Sequence, residues 1–347
     1  MTVLYAILIF GLIIFVHELG HFVAAKMAKI TVYQFTIGFG PAIFKKQIGE
    51  TLYAVRLLPV GGAVMMKDIN EDPPEGIDPA VWTSKGSFQE ASWLGRFLVV
   101  IAGSLMNFIS GILIVFFVLL PATYIAQPVI SGFAQDFPLT DTFKEGDRII
   151  DINGFHIFTY NDVVTALQLG TGDSFDFVVK RSGEKLTLSD IQLERKDYDG
   201  KGQLRYGINF GYSEISGFGK LKYAFNNALS FFQSAYKSIG MLFAGKANTS
   251  DLMGTVGIAS EISERAEQSM ADMWYFVAYL AVNLSFVNML PIPGLDGGKL
   301  LFMLVELVRR KPLDPKWENY ISYAGLGLIL VLFVFITYND IARLIAG

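Results

Sequence analysis

The stretch His17-Glu18-Leu19-Gly20-His21 interrupts an apolar run that begins at Thr2 and resumes as Phe22-Val23-Ala24-Ala25. The run is long enough for a spanning helix, which takes about 20 mainly apolar residues. On a helix, H-E-x-x-H places both imidazoles on one face, four residues apart, where they can meet one ion. Glu18 projects near the same point, as a base for a metal-activated water. Polar groups at a helix end beside the bilayer surface are the plainer alternative. Against it stands the expense of ionisable groups at membrane depth, which ties them to function.

The rest of the composition agrees with a membrane setting. Of 347 residues, 52% are hydrophobic and 17% charged, against roughly 25% charged in soluble domains. Mean hydropathy is +0.43, so a wholly soluble protein is excluded. The net charge of -4 provides no basic field, and nucleic acid is not an expected partner. The absence of cysteine removes disulfides, thiol nucleophiles and thiolate metal sites. Any metal must be held by His, Asp or Glu.

Further apolar runs cover Phe97 to Pro121, Trp274 to about Leu290 and Tyr320 to about Tyr338, which makes about four spans. A cleaved signal peptide is the alternative for the first run, but it lacks a basic start and its polar cluster falls inside the apolar region. Lys26, Lys29, Lys45, Lys46, Arg56, Lys67, Lys85 and Arg96 lie between spans one and two, and Arg309, Arg310, Lys311 and Lys316 between three and four. The positive-inside rule then makes both loops cytoplasmic, with the termini and the Pro121–Asp272 segment outside.

That outside segment reads as a small β-rich domain. Strand patterns at Val129-Ile130, Arg148–Ile152, Phe175–Lys180 and Lys185–Leu188 are separated by turn signals. A short helix is predicted over Asn161 to Leu169, capped by Asn161 or Asp162. From Leu221 to Phe243 apolar residues recur at helical spacing, which fits a helix lying on the membrane or one packed against the β domain.

Two histidines are too few for a catalytic zinc, which usually takes three protein ligands. His156, beside Asn153-Gly154, reads as an ordinary surface histidine, and a third ligand must be a carboxylate. Asp296 stands in Asn288-Met289-Leu290-Pro291-Ile292-Pro293-Gly294-Leu295-Asp296-Gly297-Gly298, where prolines and glycines break a helix directly after the third run. Irregular backbone at membrane depth is tolerated only inside protein or beside a wet cavity. Asp296 is therefore the favoured ligand over Glu306 and Asp340, which look like helix-end residues; a cap on the next helix is its plainer role.

Together these elements resemble the site-2 protease family of intramembrane metalloproteases, in its bacterial, regulator-of-sigma-E-protease-like branch with a PDZ domain outside. The likeness runs through nearly the whole chain. It includes Gly38-Phe39-Gly40, Leu58-Pro59-Val60-Gly61-Gly62-Ala63-Val64, Ala102-Gly103-Ser104-Leu105-Met106-Asn107, Gly257-Ile258 and the Asn288–Gly297 signature. The resemblance implies zinc (Zn2+) on His17, His21 and Asp296, with Glu18 as catalytic base. It also implies substrate-backbone contact by Asn288 and a membrane-associated β-loop over Leu58–Met66 that pairs with unwound substrate. Alternation around Gly61-Gly62 fits a hairpin there, and strand addition is one way to grip a peptide; a plain cytoplasmic hairpin fits the sequence equally. Asn107 either lines the site or bonds to a neighbouring helix.

The implied protein is a polytopic α-helical membrane protease with one inserted PDZ-like α+β domain. Residues 1–121 would carry spans one and two with the β-loop, 122–213 the PDZ-like domain, 214–272 a juxtamembrane linker and 273–347 spans three and four. One PDZ-like domain fits where related proteases often have two. Pro138 to Phe143 replaces the small residues usual there, which leaves peptide binding and a filter role both open. The implied substrate is a single-pass membrane protein such as an anti-sigma factor or signal-peptide remnant, already cut on the extracytoplasmic side, and the implied location is the bacterial inner membrane. Rival functions are an ion or solute transporter using His17, Glu18 and Asp296, and an inactive PDZ scaffold. Only one clearly broken helix opposes the first, and intact metal and base positions oppose the second.

Overall fold

Lipid offers the backbone no hydrogen bonds, so apolar runs of this length close their own as helices. The computed structural model describes residues 2–67, 86–170, 172–198, 204–245, 254–311 and 313–346; Lys85 of the first basic loop lies outside them. In order the elements are α1 (Thr2–Met27), β1 (Val32–Ile48), β2 (Thr51–Met66), α2 (Trp93–Val118), β3 (Tyr124–Phe133), β4 (Arg148–Ile152), β5 (Phe155–His156), α3 (Tyr160–Leu169), β6 (Ser174–Arg181), β7 (Glu184–Gln192), β8 (Ile208–Glu214), α4 (Phe218–Phe243), α5 (Thr255–Gln268), α6 (Met270–Asn288), α7 (Asp296–Arg309) and α8 (Pro315–Ala346). Among the described residues four helices are long and apolar enough to cross a membrane: α1, α2, α6 and α8. They coincide with the four runs read from the sequence. The chain divides into two compact units, Met1–Ile114 with Ala235–Gly347, and Val115–Ser234.

In the first unit α1, α5 and α6 share a core. Ala6, Ile9 and Ile13 pack with Ile262 and with Met273, Val277 and Ala281. α5 falls in the stretch 214–272 that reads as a juxtamembrane linker. It is a polar helix whose Ile258, Ile262 and Ala266 meet the membrane helices at four-residue spacing. Asp340 of α8 accepts the N–H groups of Gly254 (3.1 Å) and Gly257 (3.0 Å) at the start of α5, which satisfies two of its free donors. Elsewhere α8 is exposed along its apolar length, as suits a helix surrounded by lipid. Arg96 of α2 makes a two-pronged ion pair with Glu306 of α7, at 2.8 and 3.0 Å. Glu306 and Asp340 thus have structural partners.

β1 and β2 fold back on each other into a small curled sheet. The sequence reading put a reversal near Gly61-Gly62. The chain reverses there, between Val55 and Gly62, because Leu52–Val55 run in step with Gln34–Ile37 while Gly62–Met65 run against them; a further turn lies at Gly49-Glu50, where Ile48 pairs with Thr51. Gly49 adopts a φ of +59°, as a two-residue hairpin turn requires. The hairpin curls, so that Thr36 faces both Ala63 and Ala54. Its root packs on α1 and α2 through Ala25, Ile30, Val32 and Val99.

In the second unit the strands run β7-β6-β4-β3-β8, with β5 on β4. Phe175, Phe177 and Val179 alternate inward along β6 and pack with Ile130, Phe143, Ile149 and Ile152 and with Val163, Ala166 and Leu167 of α3. β8 was not foreseen; it pairs with β3, Ile130 opposite Phe210. The cap of α3 is Thr159 rather than Asn161 or Asp162. Asp162 stands three residues on and accepts the Thr159 N–H at 2.7 Å, completing a capping box. The Ser230 hydroxyl of α4 donates to the other Asp162 oxygen, and Gln233 donates to the His156 carbonyl at 2.9 Å. Burial raises the Asp162 carboxyl pKa despite these bonds. Ala224, Ala228 and Phe231 of α4 are buried, so this part of the helix is a packed element, while Phe225 and Phe232 stay exposed. Asp147 is also buried. Burial opposes its charge, but the Arg181 guanidinium (2.7 and 2.8 Å) and the Lys144 N–H (2.9 Å) outweigh that and hold its carboxyl below the usual range.

Candidate metal centre

His17 and His21 follow one another on the buried side of α1, 7% and 9% exposed, and their Nε2 atoms are 3.1 Å apart. The third donor arrives from far along the chain. Pro291 and Pro293 supply no N–H and stop α6 at Asn288. The chain then turns through Ile292 N–H to Leu290 (2.7 Å) and Leu295 N–H to Ile292 (3.1 Å). Gly294, at φ +95°, lies against Ser322 and Leu326 of α8, where an added Cβ would meet backbone at 3.1 to 3.4 Å. α7 then opens on Asp296, with Leu295 as its N-cap. Asp296 is thus the first residue of the helix, and its Oδ2 lies 3.2 Å from His17 Nε2 and 3.3 Å from His21 Nε2.

These three atoms fit a tetrahedral metal. Zinc bonds of 2.0–2.2 Å at tetrahedral angles separate neighbouring donors by about 3.3–3.5 Å, and the observed edges are 3.1, 3.2 and 3.3 Å. Asp296 Oδ2 is buried yet has no hydrogen-bond partner among the described residues. His21 Nδ1 lies 2.7 Å from the Val99 carbonyl, which fixes its proton there and leaves the Nε2 lone pair facing inward. The trio is the one His/Asp/Glu group among the described residues with this convergence.

α2 closes the wall behind the rings. A Cβ at Gly103 would come 2.7 Å from His17 Cε1 and closer still to His21 Nε2, so only glycine leaves room. Asn107, fully buried, has its amide nitrogen 3.5 Å from His17 Nδ1. Asn288 lies beside the same ring, its amide nitrogen 3.5 Å from Nδ1 and 3.4 Å from Nε2. Glu18 is half-buried, and a Cβ on Gly62 would be 2.8 Å from its Cγ, so β2 passes directly over the carboxylate. Gly61 is held against the Phe39 ring. His17, Glu18, His21, Asp296, Asn288 and Gly62 therefore converge. The sequence reading missed the Val99 carbonyl and the steric role of Gly103, since neither carries a side-chain signal. His156 is not part of the group; its ring packs on Phe158.

The second unit holds a groove of about 330 Å³ between α3 and β8, lined by Tyr160, Val163, Leu167, Ile208 and Phe210, with Arg195 and Arg205 also on its wall. Tyr160 and Phe210 approach edge to face, centroids 5.2 Å apart.

A multi-pass membrane protein that gathers two imidazoles and a carboxylate beside a glutamate is built as a membrane-embedded metallohydrolase. The sequence matches Peptidase family M50 over residues 5–332. It is 28% identical to the zinc metalloprotease RasP of Shouchella clausii, covering 99% of both chains. It is 27% identical to the regulator of sigma-W protease RasP of Bacillus subtilis over 99% of both, and 28% identical to the zinc metalloprotease RasP of Geobacillus kaustophilus over 97% of both. The chain belongs to peptidase family M50, the site-2 proteases. It is an intramembrane zinc metalloprotease, and the transporter and scaffold readings are not favoured.

Proposed function

We propose that His17, His21 and Asp296 hold the zinc and that Glu18 is the catalytic base. The triangle of donor atoms with edges of 3.1 to 3.3 Å carries this reading. A zinc held by these three residues would supply an acidified water and a polarised scissile carbonyl. Glu18 takes the proton and returns it to the leaving amine nitrogen. Asn288, on the rim of the trio, donates to the substrate backbone. The segment of β2 around Gly61-Gly62, lying over Glu18, pairs with an extended stretch of substrate. A substrate helix must unwind for this, since its carbonyls are otherwise engaged.

The substrate is a single-pass membrane protein, such as an anti-sigma factor or a signal-peptide remnant, already cut on the extracytoplasmic side. The sigma-W regulator among the relatives supports that class. The protein resides in the inner membrane, with the β-hairpin and the α7–α8 connection cytoplasmic and residues 122–213 outside as a PDZ-like domain. Domain boundaries follow at 1–121, 122–213, 214–272 and 273–347. The groove between α3 and β8, apolar with two arginines, favours a peptide-docking role over a simple filter.

Glu18→Gln tests the assignment. The variant is expected to keep zinc and lose cleavage of a transmembrane substrate in detergent; full turnover would refute the role of Glu18.

A further inference from the structure

We propose that Asn107 is a positioning residue for His17: its amide oxygen accepts the Nδ1 proton and so leaves Nε2 free for the metal. The inference rests on reading His17, His21 and Asp296 as the zinc site.

A neutral imidazole that offers Nε2 to a metal carries its proton on Nδ1, and that proton needs an acceptor. His21 has one in the Val99 carbonyl at 2.7 Å. His17 has two amides near Nδ1, those of Asn107 and Asn288, each with its nitrogen 3.5 Å away. Asn288 is nearly equidistant from both ring nitrogens, at 3.5 and 3.4 Å, so it lies off the axis of either lone pair. Asn107 approaches Nδ1 alone.

Asn107 also has an atom to spare. Its Oδ1 is buried and has no partner among the described residues, an unfavourable state for a polar atom. Amide oxygen and nitrogen have the same shape, and a half-turn about χ2 exchanges them. With the oxygen turned to His17, the orphan acceptor and the Nδ1 proton satisfy each other.

The spacing of α2 matches that of α1. Val99, Gly103 and Asn107 recur every four residues on one stripe, and the two imidazoles are four residues apart on theirs. Val99 serves His21, Gly103 makes room for both rings, and Asn107 serves His17.

The test is zinc affinity of the purified full-length protein, measured by competition with a chromogenic chelator, for wild type, Asn107→Leu and Asn107→Asp. Leucine keeps the volume and removes the acceptor; zinc affinity should fall about 10–100-fold. Aspartate keeps an acceptor and should hold zinc within a few-fold of wild type. Wild-type affinity in N107L overturns the proposal, and so does an N107D affinity as weak as that expected for N107L, which remains decisive if N107L does not fold. Exchange of the His17 Nδ1 proton, followed by 15N NMR of the zinc-loaded wild type and N107D, provides a readout that helix packing alone would not move: slow exchange in both is expected, and fast exchange in both contradicts it. A wild type that takes up no zinc would instead defeat the reading of the site itself.

Discussion

Replacing Gly103 by alanine sets two effects against each other. Within α2, alanine is the better helix former by about 1 kcal/mol, so the helix itself gains. The new methyl, however, points into the metal centre. It would lie 2.7 Å from His17 Cε1 and 2.8 Å from His17 Nε2, where ordinary contact begins at 3.4 Å. His17 must therefore retreat by about 0.6–0.7 Å, and His21, which is nearer, by more. Catalytic groups need placement within about 0.5 Å, and a displacement near 1 Å costs about 100-fold in rate. The expected outcome for G103A is a fall of about 100-fold in kcat/KM with thermal stability unchanged or raised. Cleavage of a fluorogenic transmembrane peptide in micelles, beside a circular dichroism melt, reads both quantities. Wild-type turnover in G103A would refute the reasoning, because the rings would then not stand where α2 confines them.

Other expectations concern the supports of the site and the second unit. Asp147→Asn should destabilise the second unit by about 2 kcal/mol, since a buried acceptor of charged hydrogen bonds is lost. Because the folded carboxyl titrates below its usual range, the stability it contributes is present above about pH 4 and is lost as pH falls further. The gap between wild type and D147N, followed in urea melts of the full chain, should narrow below pH 4; a constant gap would contradict this. Asp340→Ala frees two N–H groups at the start of α5 and should cost about 1 kcal/mol. Hydrogen exchange at residues 254–258 should quicken, and unchanged protection would show that the cap is idle.

Much of the site was legible because charge is conspicuous in apolar sequence. His17, Glu18 and His21 break a hydrophobic run, and Asp296 follows a helix that its own prolines end, so residues some 280 apart could be matched by chemistry alone. Of the trio's neighbours, Asn288 and Gly62 were named through the family resemblance, but the others were not legible. The Val99 carbonyl belongs to every residue type alike, and Asn107 acquires a role only once α2 lies against α1. The reversal just before Gly62 was legible from the alternation around Gly61-Gly62, whose small residues also give β2 passage over Glu18; the further turn at Gly49 was not foreseen. α5 was overlooked because most of its residues are polar and only Ile258, Ile262 and Ala266 mark its buried side. β8 escaped because its partner β3 lies far off in the chain, and glycine at 207 and 211 weakens its local strand signal.

Counting zinc in purified protein with and without the carboxylate of residue 296 tests most directly whether chain segments from both ends clasp one ion. Wild type should carry one zinc per chain, and Asp296→Ala should lose most of it while α1 stays folded; stoichiometric zinc in D296A would contradict the account.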